Sequence, residues 1–408
     1  VGIGGSALGP QLLDDSFSSE KDPLKIFFID NTDPVGINKT ISSIPDISKT
    51  LAIIVSKSGG TKETRNGMKI LESIWLKQKL DISKSFIAIT GNNSKLFQHA
   101  KEHNWLEIFP IWDWVGGRTS LWSSVGLLPA SLQGFDIEQL LAGASKMDEL
   151  TRNQDCYNNP SMMMALVSLY CTNAKGEKDL IVIPYRDSLK LLSKYLQQLI
   201  MESLGKEKDL DGKIVNQGIN VFGNKGSTDQ HAYVQQLRDG LNNFYVAFIE
   251  TKKKTNLDFD DVNMKVEEDF TSEDYLKGFS LGTKLALSDN NRKSLSIFLD
   301  EFSIYDFGSL LAFFERFVGF YAAMVNINAY DQPGVEAGKK AADRMLVLKK
   351  EVLNSITNKK KTLLTQLLSD FSNDYQESEV FEILNYLERN NIINSNRAQN
   401  LNEKEFFI

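Results

Sequence analysis

Four hydroxyl side chains within nine residues, Ser56, Ser58, Thr61 and Thr64, surround Gly59-Gly60 and follow directly on the apolar run Leu51-Ala52-Ile53-Ile54-Val55. A buried strand leading into such a loop and then a helix makes a phosphate cradle. The hydroxyls donate, glycine brings backbone N–H groups close to an anion, and the positive end of the helix dipole favours negative charge. The G-x-x-x-x-G-K-[ST] spacing of a triphosphate loop is absent, so a phosphate monoester is expected. Ser or Thr at a helix start is also an ordinary cap, which is the competing reading. A second glycine turn, Gly2-Ile3-Gly4-Gly5-Ser6-Ala7, fits the loose dinucleotide fingerprint G-x-G-x-x-A, with Asp30 closing the next strand. A tight strand–helix turn with no ligand gives the same pattern.

Acid–base groups are sparse. Glu202 stands at the end of a predicted helix stopped by Gly205, with Gln198 four residues earlier on the same face. A carboxylate there meets the negative end of the helix dipole, an unfavourable placement, and a solvated surface glutamate is the competing reading. The imidazoles are His99, His103 and His231. His99 and His103 lie four apart in a polar helical stretch and are expected at the surface rather than on a metal. His231 follows Gly226-Ser227-Thr228-Asp229-Gln230 and is expected in the first turn of a helix, where the dipole would favour the neutral ring. Further on, Asp331-Gln332-Pro333-Gly334-Val335-Glu336 precedes Lys339; Pro333 suits a first helical position, and Gln332, Glu336 and Lys339 would share one face.

The elements that must position these groups read as α/β. Lys25–Asp30, Leu51–Val55, Phe86–Thr90 and Leu106–Phe109 are expected strands, alternating with helices such as Lys62–Leu80. A second series has strands at Leu180–Pro184, Gly218–Phe222, Phe244–Ile249 and Ser296–Leu299, with helices near Asp187–Leu204 and Thr228–Leu241. Such alternation implies parallel sheets covered on both faces. A helical stretch from about Gly134 to Asn173 connects the two series, which puts domains at 1–150 and 151–330, followed by a helical C-terminal arm over 331–408. The chain has 408 residues and a net charge of −7, which disfavours nucleic acid as the main partner. Cys156 and Cys171 are too few for a disulfide framework, and a reducing cytoplasm suits them. Glu315 and Arg316 interrupt the most apolar stretch, Phe307 to Tyr330, which is therefore expected to be a core helix and not a membrane span. Only Val1, Gly2 and Ile3 precede the Gly4-Gly5 turn, without an initiator Met. A buried strand usually has about 5–6 residues, so a preceding segment is expected.

Taken together, the residues resemble the phosphoglucose isomerase family. The resemblance rests on Ile3-Gly4-Gly5-Ser6 with Leu8-Gly9-Pro10, the Ser56–Thr64 loop, Val115-Gly116-Gly117-Arg118, Met201-Glu202-Ser203, Gln230-His231-Ala232 and Asp331–Glu336 with Lys339, in that order. It implies two unequal αβα sandwiches of sugar-isomerase type, a homodimer with shared active sites, a sugar-phosphate substrate, and no metal or other cofactor. It further implies that Ser56, Ser58, Thr61 and Thr64 hold phosphate while Lys57 and Ser6 line the sugar pocket. Glu202 would be the general base and Arg118 the stabiliser of enediolate charge. His231 and Lys339 would handle ring opening, with Glu63 as a partner of His231, and Gln198 and Gln332 would contact sugar. His231 would reach the site from the opposite subunit. The sequence departs from many family members at Gly59-Gly60-Thr61, where they carry an aromatic and two threonines, and at Leu204, where they carry Asn. A non-catalytic sugar-phosphate sensor on the same sandwich would need the loop but not Glu202, His231 or Lys339. A dinucleotide oxidoreductase would leave the second cradle unexplained.

Overall fold

The computed structural model describes residues 1–253, 265–396, 400 and 403–408. The chain divides into two compact units, Val1–Tyr330 and Asp331–Ile408. In the first, β1 (Ala52–Val55), β2 (Phe86–Thr90) and β3 (Glu107–Pro110) form a parallel sheet in that order, with Ala52 opposite Phe86 and Ile87 opposite Glu107. β4 (Asp179–Pro184) begins the second sheet. A short antiparallel hairpin follows, β5 (Lys206–Lys208) with β6 (Ile214–Gln217), and then β7 (Val221–Phe222), β8 (Phe244–Thr251) and β9 (Ser294–Leu299). The second sheet has the order β7-β4-β8-β9 and is parallel throughout. Its central strands are unbroken apolar runs because helices cover both faces, and β8 is buried at every position but its last.

Three predicted elements differ in form. Lys25–Asp30 is not a strand: Gly2 N–H donates to Ile29 O (3.1 Å), a single rung, while Val1 sits against β1 through Val55 N–H to Val1 O (2.8 Å). The stretch expected as one helix over Asp187–Leu204 changes winding: a 3-10 turn Asp187–Leu189, an α-helix Leu192–Leu196, then a π-helix Gln197–Glu202. Thr228–Leu241 likewise splits into a 3-10 helix Thr228–His231 and an α-helix Val234–Asp239.

The largest core joins distant parts of the first unit. Leu12 and Leu13 of the helix Gly5–Phe17, and Leu121, pack with Leu180 and Val182 of β4, Leu196 and Leu199, and Phe314 and Phe317 of the helix Ile304–Met324. That last helix has the length and apolar character of a membrane span but is mostly buried against its neighbours in the core. Packing of the first helix here brings the Gly4-Gly5-Ser6 turn to the second sheet, while β1 carries its own loop on the first.

The second unit has its own core, formed by Leu348, Val352, Ile356, Leu367, Leu384 and Phe406 among others. Its helices are Val335–Lys359, Leu364–Phe371 and Glu377–Arg389. The expected helical region also contains a small antiparallel sheet of β10 (Lys361–Leu363), β11 (Asn394–Ser395) and β12 (Glu405–Phe407), in the order β10-β12-β11.

Candidate active site

The loop after β1 is built as a cradle whose glycine amides are already engaged. Gly59 has φ +64°, and a Cβ there would lie 2.2 Å from the Leu96 backbone nitrogen, so no other residue fits without displacing that chain. Gly59 N–H donates to Ser56 Oγ and Gly60 N–H to Ser58 Oγ, each at 3.1 Å. These amides were expected to face an anion; hydroxyl-closed turns hold them instead. Thr61 occupies the N-cap of the helix Lys62–Lys77 but makes no side-chain cap bond, which leaves the first-turn amides uncapped by that hydroxyl. Thr64 is buried and its Oγ1 has no hydrogen-bond partner among the described residues. A buried hydroxyl without a partner beside an uncapped helix start suits an incoming acceptor better than a simple cap. Lys57 stretches away from the loop, donating to the carbonyls of Asp113 (2.7 Å) and Val115 (3.0 Å), which tethers the turn leading to Gly116-Gly117-Arg118. Glu63 lies in the first helical turn, half-buried.

Three further motifs meet in the same unit. A Cβ on Gly5 would sit 1.9 Å from the Gly117 carbonyl oxygen, and Ser120 Oγ donates to Gly5 O (3.0 Å), so the first turn and the Arg118 turn are in backbone contact. A Cβ on Gly4 would lie 3.1 Å from Gln198 Nε2, which puts the Gln198 amide over that turn beside Ser6. The buried Arg118 donates to Ser203 Oγ (2.6 Å) and to Ala329 O (2.7 Å). Arg118, Gln198, Ser203 and the end of Asn328-Ala329-Tyr330 are thereby assembled around Glu202.

Glu202 is the last residue of the π-helix, half-buried, and its carboxylate has no hydrogen-bond or ion-pair partner among the described residues. π-Helical turns are rare and occur preferentially at functional sites. The poor electrostatics expected of its position are met by Lys206, a buried residue whose ammonium donates to Glu202 O (3.0 Å) and Ser203 O (2.8 Å). A cation on the last carbonyls of a helix offsets the negative end of the dipole.

His231 is exposed and ends a 3-10 turn instead of opening a helix, because the backbone closes on Asp229 first. Buried Asp229 accepts from Asn224 N–H (3.1 Å) and from the Tyr233 hydroxyl, and Gln230 Nε2 donates to Phe279 O (2.9 Å). Among the described residues no hydrogen bond or ion pair joins His231 to Glu63 or Glu202. Gln332 and Lys339 are exposed residues of the second unit. Pro333 precedes Gly334, the N-cap of Val335–Lys359, so it stands outside the helix it was expected to open.

His99 and His103 are less alike than expected. His99 is turned inward, with Nε2 2.5 Å from Oε1 of buried Glu72, while His103 is exposed and its Nδ1 lies 2.8 Å from His99 O. Burial works to raise the Glu72 pKa, but hydrogen bonds from Lys69 and His99 outweigh it and hold the carboxyl below its ordinary value. Asp30, the residue a dinucleotide ribose would need, accepts from Gln11 Nε2 (2.8 Å).

Sequence reasoning missed Lys206, although its place four residues after Glu202 was a usable signal. It also read Glu315 only as a charge interrupting an apolar helix. Both Glu315 oxygens accept from Trp122 Nε1 (2.9 and 2.8 Å), and burial, partly offset by Trp122 and Tyr195, pushes its carboxyl up to about 7.

Two parallel αβα layers, a hydroxyl–glycine loop after the first strand, and a carboxylate beside a buried arginine define a phosphosugar isomerase type of protein. The phosphoglucose isomerase family profile matches residues 1–364. The glucose-6-phosphate isomerase of Gloeothece citriformis is 52% identical over 393 residues, covering 96% of this chain and 74% of its own length. That of Geobacter sulfurreducens is 50% identical over 387 residues, covering 94% and 72%. The crystal structure of a glucose-6-phosphate isomerase from Chlamydia trachomatis superposes with a TM-score of 0.77 at 28% identity, covering 95% of this chain and 72% of that one. The chain belongs to the phosphoglucose isomerase family.

Proposed function

We propose that this chain interconverts glucose 6-phosphate and fructose 6-phosphate by opening the sugar ring and moving a proton between C2 and C1 through a cis-enediolate, a step of glycolysis and gluconeogenesis. The observation that carries the reading is the convergence of Gly4-Gly5-Ser6, Arg118 and Gln198 around Glu202, whose carboxylate has no partner among the described residues, in a member of this family. A single carboxylate suffices for the transfer: Glu202 removes the C2 proton and returns it at C1. Arg118 compensates the charge on the enediolate oxygens, where a fixed donor acts without reorganisation. Ser56, Ser58, Thr61 and Thr64 hold the phosphate, whose binding energy keeps the reacting carbons in place. Lys57, Ser6, Gln198 and Gln332 border the sugar, and His231 with Lys339 opens the ring, Glu63 supporting His231.

In this reading residues 1–150 form the lobe with the phosphate loop, 151–330 the lobe with Glu202 and His231, and 331–408 the part bringing Lys339. The working protein is a cytoplasmic homodimer with shared sites, acting on a free sugar phosphate and using neither nucleic acid nor membrane. Exposure of His231, which among the described residues makes no hydrogen bond or ion pair to Glu63 or Glu202, supports its reaching across to a second copy. A regulatory sensor is the weaker reading, because it gives no work to Glu202 or Arg118. The test is proton NMR of fructose 6-phosphate with the protein in heavy water and no added metal or nucleotide. Appearance of glucose 6-phosphate carrying deuterium at C2 is the expected result; binding without conversion or exchange would leave only the sensor.

A further inference from the structure

Glu315 lies in the helix Ile304–Met324 between buried Phe314 and Phe317 and is partly buried itself. Among the described residues no cation pairs with it, although Arg316 next to it does reach Asp148 (3.8 Å) and Thr151 (3.1 Å). Its partners are two neutral donors from elements far away in the chain. Trp122 Nε1–H, at the end of the 3-10 turn Gly117–Trp122, points between the two carboxylate oxygens. The Tyr195 hydroxyl lies 3.5 Å from Glu315 Oε1 and 3.4 Å from the Arg118 carbonyl oxygen. Tyr195 belongs to Leu192–Leu196, which runs directly into the π-helix of Gln198 and Glu202.

A carboxylate taken out of water is costly unless its lone pairs are filled, and indole and phenol donors are directional. We propose that Glu315 is a positioning residue for the isomerisation: through Trp122 and Tyr195 it fixes the Arg118 turn relative to the helix that presents Glu202. The proposal rests on the roles given above to Arg118 and Glu202. Arg118 opens the turn and is held on one side by Ser203 and Ala329; Trp122 closes the turn and is held on the other side by Glu315. Between them Ser120 is bonded to Gly5. Releasing Trp122 leaves the turn fixed at one end only, and the guanidinium is then free to drift from the enediolate oxygens. The phosphate loop meets this chain of contacts through Lys57, whose ammonium holds the Asp113 and Val115 carbonyls ahead of the turn, and its hydroxyls bond to neither Trp122 nor Glu315.

The full chain is assayed as wild type, Trp122→Phe, Glu315→Leu and Glu315→Gln, for kcat and KM with fructose 6-phosphate. Inhibition by a phosphorylated sugar acid that mimics the enediolate, and by inorganic phosphate, is measured alongside. Trp122→Phe and Glu315→Leu are expected to lose about 10- to 100-fold in kcat, as a misplacement near 1 Å does. Affinity for the mimic should fall with it while phosphate inhibition stays as in the wild type. Glu315→Gln keeps an acceptor for the indole and offers an N–H to Tyr195, and is expected to restore most of the loss. If Glu315→Leu does not fold, Trp122→Phe decides alone. Wild-type kcat in folded Trp122→Phe would overturn the proposal, as would equal loss of phosphate and mimic binding, the mark of general loosening. A loss in Glu315→Gln as deep as in Glu315→Leu would overturn it too. A wild-type protein without isomerase activity would instead defeat the reading of Arg118 and Glu202.

Discussion

At the scale of single residues, Glu202 has the features a general base needs. Its carboxylate has no partner among the described residues, the carbonyl of its own residue is neutralised by Lys206, and Arg118 is one residue away through Ser203. Glu202→Gln preserves shape and hydrogen bonding but cannot accept a proton. It is expected to keep its fold and its affinity for sugar phosphate while losing at least ~10²-fold in turnover, the lower range for a general base. Loss of deuterium incorporation from heavy water reads the same step; retention of a tenth of wild-type activity would remove Glu202 from the role. The sequence singles out Glu202 as a candidate because Met201-Glu202-Ser203 stands in a motif and because a carboxylate in a last helical turn is poorly placed. The compensating Lys206 was not sought, since a lysine just beyond a helix reads as surface until its burial is known.

At the scale of elements, parallel strands were easy to read and changes of helical winding were not. Apolar runs such as Phe86–Thr90 and Phe244–Thr251 are buried on both faces, so composition alone marks them. The π-helix Gln197–Glu202 has the same residues a regular helix would have. Its Leu199 and Ile200 are buried in the largest core, a tertiary setting that no local pattern records. Lys25–Asp30 has strand composition but only one rung to a neighbour, and β-propensity does not make a ladder without a partner. The loop proposed to hold phosphate stood out by residue types, yet the bonds within it did not: Gly59 and Gly60 donate to serine hydroxyls, which in the proposed reading leaves phosphate to Ser58, Thr61, Thr64 and the uncapped helix start. Replacing Ser58 and Thr61 together by Ala should raise KM and weaken inhibition by inorganic phosphate, leaving turnover of bound substrate largely intact. Two neutral donors to a dianion are worth on the order of 3–6 kcal/mol if independent, at about 1.5–3 each. Unchanged phosphate inhibition would move the anion site to the Gly4-Gly5-Ser6 turn.

At the scale of the whole molecule, the proposed homodimer raises the question of which copy of the chain would supply His231. The loop that carries it is tied by hydrogen bonds of Asp229 and Gln230, while the ring itself is exposed and, among the described residues, bonded to neither Glu63 nor Glu202. Such a residue, presented outward on a fixed turn, suits a site completed across a two-fold axis. In a symmetric dimer of that kind each site takes Glu202 from one chain and His231 from the other. Glu202→Gln and His231→Ala are then lesions that can be sorted into one site. In a mixed dimer one site receives both substitutions and the second receives neither. Random pairing of the two variants in equal amounts makes half of the dimers mixed, so about a quarter of all sites become intact. Each variant alone is expected to be nearly inactive on the cyclic substrate. Co-expressed or refolded together they should recover roughly a quarter of wild-type activity, and mixing without subunit exchange should recover none. If the co-assembled pair stays as inactive as its parents while mass measurement shows mixed dimers, His231 serves the site of its own chain.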